Sequence, residues 1–574
     1  MNIFDKFSKE IKNLISDNKE NLKIKKTNNF ENVVVENPPT EFNFDLSTNI
    51  SLILGRVNKI DPKVLASEIK ILLQNEIKSF DKIEIAGPGF LNIKLSNKTL
   101  KIISNKILNK NQFYGSSESN NSYNVEFVSA NPTGPMHVGH CRGAIYGDVL
   151  SNLLKFNGNK VVKEYYINDY GNQIINFTKS VFLRIREIKF QEKFITTKDL
   201  YPGDYIIDIA KKIIEDNIKI NYNDFNESFD YLSKESLKHS MNLIKSDLSK
   251  LGIQHDIFVS EKKIVKNNLV DKAVDFLTNN KLIVEGYLEP PKGTNSKNWK
   301  KVKRLIFKST LYGDDADRAL QKNDGSWTYF ANDVAYHSDK VSRNFDFLVN
   351  ILGADHTGYI KRITAAVSAL SKNKTKLDCR VCQLVKLFKN GKPYKMSKRS
   401  GDFISASDLL NEVDRDSVRF MMLNRSNDVE LDFDFDKVLE KNKDNPVFYV
   451  QYCYARINSL FRTLKMNLNE PLKDNDKDFN LNKYETKILR KVFDWPKIID
   501  ASARKYEPHR IPFYLYDLAT LFHSYWSKGN EKDEYKFIIN GKPNNLNTLI
   551  IIKLLATVIE NGMKILGVSL PKKM

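Results

Sequence analysis

His137 and His140 stand three residues apart around Gly139 in the run Asn131-Pro-Thr-Gly-Pro-Met-His-Val-Gly-His140. Glycine lets a ligand come close to the backbone, and a helix beginning there would aim its free N–H groups and positive dipole end at an anion. Imidazole N–H groups at that point can donate to phosphate oxygens as negative charge shifts during displacement at phosphorus. A second run, Gly391-Lys-Pro-Tyr-Lys-Met-Ser-Lys-Arg-Ser-Gly401, gathers cations between two glycines. Lys395, Lys398 and Arg399 would close over a triphosphate, with the glycines as hinges. Either run alone has a plain structural reading, a histidine cap or an exposed basic loop. In this order they match what activating a carboxylate with ATP requires, a phosphate cradle followed by a cationic clamp.

Val125-Glu-Phe-Val128 reads as a strand, and Ile145, Val149, Leu150, Leu153 and Leu154 recur at helical spacing. Val161-Val162 opens another apolar run, so the first motif lies in the turn of a β-turn-α-β unit. From about 180 to 300 helical patterns dominate, as in an insertion, and strand-like patterns return at Leu305-Ile-Phe307, Tyr329-Phe330 and Phe347–Leu352. Two sheet halves around a helical insertion predict a doubly wound α/β domain with parallel strands over 120–440, its ligand at their carboxyl ends. Residues 1–110 read as an N-terminal α+β domain, with helices near 4–16 and Val64–Ile77. Two strands there meet at Ala86-Gly-Pro-Gly89, where Ile83 and Ile85 alternate before the turn and Leu91, Ile93 and Leu95 after it. Gly115-Ser-Ser-Glu-Ser-Asn-Asn121 has the composition of a linker. Residues 441–574 read as an all-α helical bundle. Asn445-Pro446 caps a helix whose stripe is Val447, Val450, Tyr454, Ile457, Phe461 and Leu464, and Ile511, Leu515, Leu518, Phe522 and Trp526 repeat the spacing.

Composition narrows the function. The chain has 90 Lys plus Arg against 70 Asp plus Glu, a formal charge of +20, which favours a polyanionic partner, although an AT-rich genome also supplies lysine codons. Four cysteines, at 141, 379, 382 and 453, require no disulfide framework and fit a reducing cytoplasm. Cys379-Arg-Val-Cys382 has zinc-like spacing but lacks a second pair nearby, so no structural zinc is expected and no metal ligands are assigned. No signal-peptide core opens the chain, and the most apolar tract, Leu549–Ile559, is interrupted by Lys553 and shorter than a membrane span.

The two motifs together resemble those of class I aminoacyl-tRNA synthetases, whose catalytic domain is Rossmann-like. Val125–His140 is similar to the signature of the arginyl-tRNA synthetases, and Lys395-Met-Ser-Lys-Arg399 resembles the KMSKS loop of the class, with Arg399 in place of the last serine. Ala86–Leu91 resembles that family's N-terminal extra domain. Asp314–Arg318, Tyr329–His337 and Gly353–Gly358 resemble its catalytic core, and Tyr449–Arg456 and Tyr516–His523 its anticodon-binding domain. The resemblance runs from about residue 80 to the end. It implies attachment of L-arginine to tRNA(Arg) using ATP and Mg²⁺, with adenylate formed only when tRNA is bound, in a monomer. On this resemblance His137, His140, Lys395 and Lys398 are catalytic. Gly139, His140, Gly353, Asp355, His356, Met396, Ser397 and Lys398 would meet ATP. Glu126, Ser129, Asn131, His137, Tyr329, Asp333 and His356 would meet arginine, the carboxylates of Glu126 and Asp333 facing the guanidinium as a buried cation requires. Tyr449, Gln451 and Arg456 would meet tRNA. Splayed bases stack on aromatic rings; of Tyr449, Tyr452, Tyr454, Phe522 and Tyr525, Tyr454 and Phe522 are expected in the core and Tyr449 facing a base. A nucleotidylyltransferase, another class I synthetase, or a non-catalytic tRNA-binding paralogue are the competing readings.

Overall fold

The computed structural model describes residues 2–26, 30–39, 42–216, 220–287, 302–394, 404–472 and 478–574. Near the N-terminus, helix α1 (Ile3–Asp17) precedes strands β1 (Val35–Glu36) and β2 (Leu46–Thr48). Then come α2 (Ile50–Asn58), α3 (Pro62–Glu76), β3 (Phe80–Ala86), β4 (Phe90–Leu95) and α4 (Asn97–Lys110). The strands pair antiparallel in the order β1-β2-β4-β3. The turn between β3 and β4 holds Gly87 and Gly89 at φ of +54° and +140°, which side-chain-bearing residues avoid. Leu91, Ile93 and Leu95 are buried as their alternation predicts. Ile85 departs from it: it shares a face with buried Ile83, but it stands near the turn end of the edge strand β3 and is exposed.

The central sheet is parallel, in the order β12-β11-β5-β6-β7. β5 (Ser122–Glu126), α5 (Val138–Phe156) and β6 (Lys160–Ile167) form the predicted β-turn-α-β unit. β5 ends at Glu126 rather than Val128, because Val128 and Ser129 turn to φ of +69° and +41° and leave the ladder. Helices α6 (Asn172–Phe190), α7 (Asp204–Glu215) and α8 (Phe225–Lys250) pack together around Phe177, Val181, Ile206 and Leu232. The helical pattern ends earlier than 300. β7 (Ile257–Ser260) rejoins the sheet beside β6, and α9 (Glu261–Lys266), α10 (Leu269–Asn279) and the antiparallel set β8 (Ile283–Gly286), β9 (Arg304–Phe307), β10 (Arg318–Ala319) follow. Leu305–Phe307 is thus a strand, though of this smaller sheet.

Tyr329-Phe330 is not a strand. It opens helix α11 (Tyr329–Ser342), whose cap is Thr328, its hydroxyl accepting the Ala331 N–H. The buried positions Phe330, Val334 and Tyr336–His337 step by a helical turn, a period that two aromatic residues read alone cannot display. β11 (Phe347–Gly353), α12 (Ile360–Ser371) and β12 (Lys376–Cys382) complete the large sheet. β13 (Val385–Lys389) and β14 (Lys392–Pro393) lead into the basic segment, whose residues 395–403 lie outside those described. α13 (Ala406–Glu412), α14 (Arg415–Met422), β15 (Leu431–Asp434) and α15 (Phe435–Leu439) follow, β15 pairing parallel to β13.

The chain closes with α16 (Pro446–Thr463), α17 (Lys483–Lys505), α18 (Arg510–Glu531), a hairpin β16 (Ile538–Ile539) and β17 (Lys542–Pro543), and α19 (Leu546–Leu566). Asn445 accepts the Phe448 N–H and Pro446 occupies the first helical position, as expected. The apolar tract Leu549–Ile559 is buried within α19, and no described helix is long and apolar enough to cross a membrane. The bundle holds the N-terminal region directly. The Tyr114 hydroxyl donates to Val492 O at 2.9 Å, Trp495 Nε1 donates to Tyr114 O at 2.9 Å, and Arg490 Nε pairs with Asp45 at 2.9 Å.

Candidate active site

The carboxyl end of β5 carries Glu126, which is 8% exposed. Its Oε1 accepts the Ser129 hydroxyl at 3.1 Å, while Oε2 is bonded by the buried ammonium of Lys340. Lys340 also donates to Asn350 Oδ1 at 3.1 Å, and the Tyr336 hydroxyl lies between Glu126 (3.0 Å) and Glu164 (2.6 Å). Arg343 grips Glu164 through both terminal nitrogens, at 2.7 and 3.1 Å. Burial would raise the Glu164 carboxyl, but Lys340 and Arg343 outweigh it and hold it at about 2. The internal charges of this floor are therefore paired, Glu126 with Lys340 and Glu164 with Arg343.

Asp333 is different. It lies one turn after Tyr329 on α11, and its Oδ2 accepts the Tyr359 hydroxyl. Burial pushes its carboxyl up to about 7 against that bond, with Glu261 and Glu126 adding repulsion. Glu261, at the start of α9, is itself raised by burial, and Asn332 donates to it at 3.3 Å. The pocket thus has more acid than base, and a cation entering it would relieve the excess. Ser129 spans the rim: its hydroxyl donates to Glu126 and accepts the Tyr166 N–H at 3.1 Å. Asn131 is exposed and accepts from Asn168 at 3.2 Å. Tyr329 is exposed as well, with the Lys322 ammonium 5.7 Å from its ring centre.

Eleven residues beyond Glu126, His137 caps α5 and His140 sits in its first turn. Their rings stack at 3.7 Å. His140 Nδ1 accepts the His137 backbone N–H at 3.3 Å, so its proton is on Nε2, free to donate. Burial, then His137, depresses the His140 imidazole to about 3, and burial lowers His137 too. Both are neutral N–H donors at neutral pH. Gly139 makes room for the His137 ring, since a Cβ there would stand 2.8 Å from it. Gly353 ends β11 in the same sheet, and Asp355 and His356 follow as exposed side chains, His356 Nε2 being 3.4 Å from Asp355. Lys395, Met396, Ser397 and Lys398 lie outside the described residues.

On the bundle, Tyr449 is half-buried, packed on His523 at 4.3 Å and Tyr516 at 5.3 Å. His523 Nε2 lies 3.1 Å from Tyr449 O and Nδ1 3.2 Å from Arg456 Nη1, which sets the tautomer, Nε2 donating and Nδ1 accepting. Arg456 also covers the Tyr452 ring at 4.2 Å, and Gln451 donates to Ser569 O at 3.0 Å. Tyr454 and Phe522 are in the core as expected. Tyr525 joins them, 1% exposed and donating to Glu485 at 3.0 Å, and offers no face to a base.

Cys379 and Cys382 lie on β12. Among the described residues a single group of three side chains brings metal-ligating atoms together, Asp216, Glu235 and His239 within 4.8 Å, and its Glu235 is already bonded to Lys238 at 2.7 Å.

A family model described as tRNA synthetases class I (R), catalytic domain, matches residues 102–459. The arginyl tRNA synthetase N terminal domain matches 5–95, and the DALR anticodon binding domain matches 450–574. The chain belongs to the arginyl-tRNA synthetases. A relative from Pelagibacter ubique (strain HTCC1062) described as arginine–tRNA ligase is 52% identical over 577 residues, covering all of both chains. A relative of the same description from Bartonella bacilliformis is 43% identical over 594 residues. A solved arginyl-tRNA synthetase structure from Campylobacter jejuni aligns with a TM-score of 0.73 at 31% identity, over 84% of this chain and all of the other. The Thermus thermophilus arginyl-tRNA synthetase shares the fold at 17% identity, TM-score 0.71, over 99% of this chain. The class I catalytic domain of the family takes ATP as substrate. Sequence reasoning missed Tyr359, Glu261 and Lys340 in this pocket. Tyr359 follows Gly353–Gly358 directly, a signal that was there to use; Glu261 and Lys340 are ordinary members of a charge-rich chain.

Proposed function

We propose that Glu126 and Asp333 meet the guanidinium and His137 and His140 meet ATP as the chain, an aminoacyl-tRNA synthetase, charges tRNA(Arg) with arginine in two steps. The observation that carries this is Asp333, a carboxyl held at about 7 in a pocket whose other floor charges are already paired. A guanidinium supplies the missing positive charge and a fork of donors. Ser129 holds Glu126 in place, and Asn131, at the rim, takes the α-amino end. Tyr329, one helical turn before Asp333, closes over the side chain, and His356 lies on the ATP side with Gly353 and Asp355.

The arginine carboxylate oxygen attacks the α-phosphorus of ATP, which arrives with Mg²⁺ as the substrate complex, and the bond to pyrophosphate breaks. The neutral Nε2–H of His140 donates to phosphate oxygens without adding a charge, and Gly139 lets them approach the α5 N-terminus. Lys395, Met396, Ser397 and Lys398 contribute the clamp. The terminal hydroxyl of tRNA then attacks the adenylate carbonyl and AMP leaves. No side chain in this scheme is a required general base; positioning and electrostatics carry the rate.

The chain divides in this reading into a tRNA-contacting unit at 1–110, a catalytic unit at 120–440 with its insertion, and an anticodon-reading unit at 441–574, in which Tyr449, Gln451 and Arg456 face tRNA. It works as a cytoplasmic monomer without structural zinc, and the four unpaired cysteines support a reducing compartment. ATP–pyrophosphate exchange with each amino acid, with and without tRNA, tests the whole. Exchange is expected with arginine alone and only in the presence of tRNA. Robust exchange with another amino acid overturns the reading.

A further inference from the structure

Asp247 lies in the last turn of α8, within the helices inserted between β6 and β7, and is 4% exposed. Its Oδ2 accepts the Met136 N–H at 3.1 Å, and its Oδ1 accepts the Ser407 hydroxyl at 2.7 Å. Met136 immediately precedes His137. Ser407 stands in the first turn of α13, directly after the basic segment. The same two stretches meet through their backbones: Val138 N–H donates to Ile404 O at 3.0 Å, Ala406 N–H donates to Met136 O at 2.8 Å, and His137 bridges Ser405.

Helix capping does not account for Ser407. Ser405 and Asp408 already cap α13 reciprocally, which leaves the Ser407 hydroxyl free to bond outward, and Lys250 donates to its oxygen at 2.8 Å. Among the described residues no direct ion pair engages Asp247, although the Lys250 ammonium reaches it through the Ser407 hydroxyl, and burying a carboxylate whose direct donors are neutral is a costly way to pin a helix. What a carboxylate offers that an amide does not is two acceptor oxygens, here one for each motif's flank.

We infer that Asp247 is a positioning residue for ATP. It fixes the chain entering the two histidines and the chain following the basic segment to one carboxylate, so that the insertion helix α8 ties together the described flanks of the two motifs. This rests on the reading of both motifs as the ATP site.

The test is steady-state ATP–pyrophosphate exchange, with arginine and tRNA present, on the full-length protein carrying Asp247→Ala, Ser407→Ala or both. Ser407→Ala is expected to raise the ATP KM about threefold to tenfold, and Asp247→Ala more, while the arginine KM stays within about twofold. Because both contacts end on one carboxylate, the double variant should be no worse than Asp247→Ala. Equal rises in both KM values, an unchanged ATP KM in folded protein, or a full Ser407→Ala effect on top of Asp247→Ala each overturn the inference. Should Asp247→Ala fail to fold, Ser407→Ala alone decides through the ATP-against-arginine split. His140→Ala run alongside separates the two levels: if it leaves ATP binding intact, the motif reading fails; if it abolishes binding while Ser407→Ala changes nothing, only the present inference fails.

Discussion

At the scale of single residues, Asp333 sets an expectation about protons. Its carboxyl is raised by burial to about 7 from an unfolded value of about 3.9. The folded state therefore holds a proton that the unfolded state releases, so this group's contribution to stability is full below about pH 4 and is lost as pH rises through 7. A guanidinium beside it reverses the balance and favours the ionised form. Arginine binding should release about half a proton at pH 7, rising to about nine-tenths at pH 6, and arginine affinity should fall as the medium is acidified below 7. Calorimetry in buffers of different ionisation enthalpy measures this directly; a heat independent of buffer refutes it. Asp333→Asn should remove the proton release and raise the arginine KM by about thirtyfold or more, the worth of a charged hydrogen bond. Residue types alone favour structural pairing of Asp333 and Glu126 with lysines, and it takes the family resemblance to nominate the two together for the guanidinium. That Glu126 already has Lys340 as its partner was not legible, because one lysine among 90 basic residues carries no mark of the helix turn that buries it.

At the scale of elements, the turn between β5 and α5 carries the site, and its strain is its most informative property. Val128, a β-branched residue, sits at φ +69° and Ser129 at +41°, a conformation held by the Ser129 N–H on Phe127 O at 3.0 Å and by the Ser129 hydroxyl bonds. Alternation of apolar residues reads straight through such a reversal, which is why the strand pattern extends two residues too far. Phe127 fixes the turn from below by packing on Gly147 of α5, where a Cβ would overlap its ring. Gly147→Ala should therefore cost about 1–3 kcal/mol and raise the arginine KM by displacing Ser129. Chemical denaturation with substrate titration checks both effects, and a variant with the parent's midpoint and KM counts against the account. The helix of the first motif was legible because its stripe is long; α11 was not, because its aromatic start mimics a strand and its period appears only over three turns.

At the scale of the whole molecule, one guanidinium ties the parts together. Arg419, 1% exposed, donates to Leu566 O at the end of α19, to Leu251 O just after α8, and to Asp148 of α5, whose other oxygen takes Lys163 at 2.6 Å. Arg419→Met leaves two carbonyls and part of a buried carboxylate unmet, and should lower global stability by about 3 kcal/mol, read as a shifted denaturation midpoint of the full chain. An unchanged midpoint removes Arg419 from this role. The order of regions along the chain was legible from pattern changes, whereas the seating of the N-terminal region on the bundle through Tyr114 and Trp495 joins residues with no local signature. The sheet order has a last consequence, in time rather than in space. β5 lies between β6, its near neighbour in sequence, and β11, with Ser122 and Asp346 bonded across a separation of 224 residues. At a synthesis rate of about 5–20 residues per second, the ribosome needs roughly 10–45 s to supply that second neighbour. For that interval the strand bearing Glu126 has an unpaired edge, the kind of surface that recruits other strands unless it is covered. The half-made chain is thus open to strand-on-strand association at that edge until β11 arrives to close it.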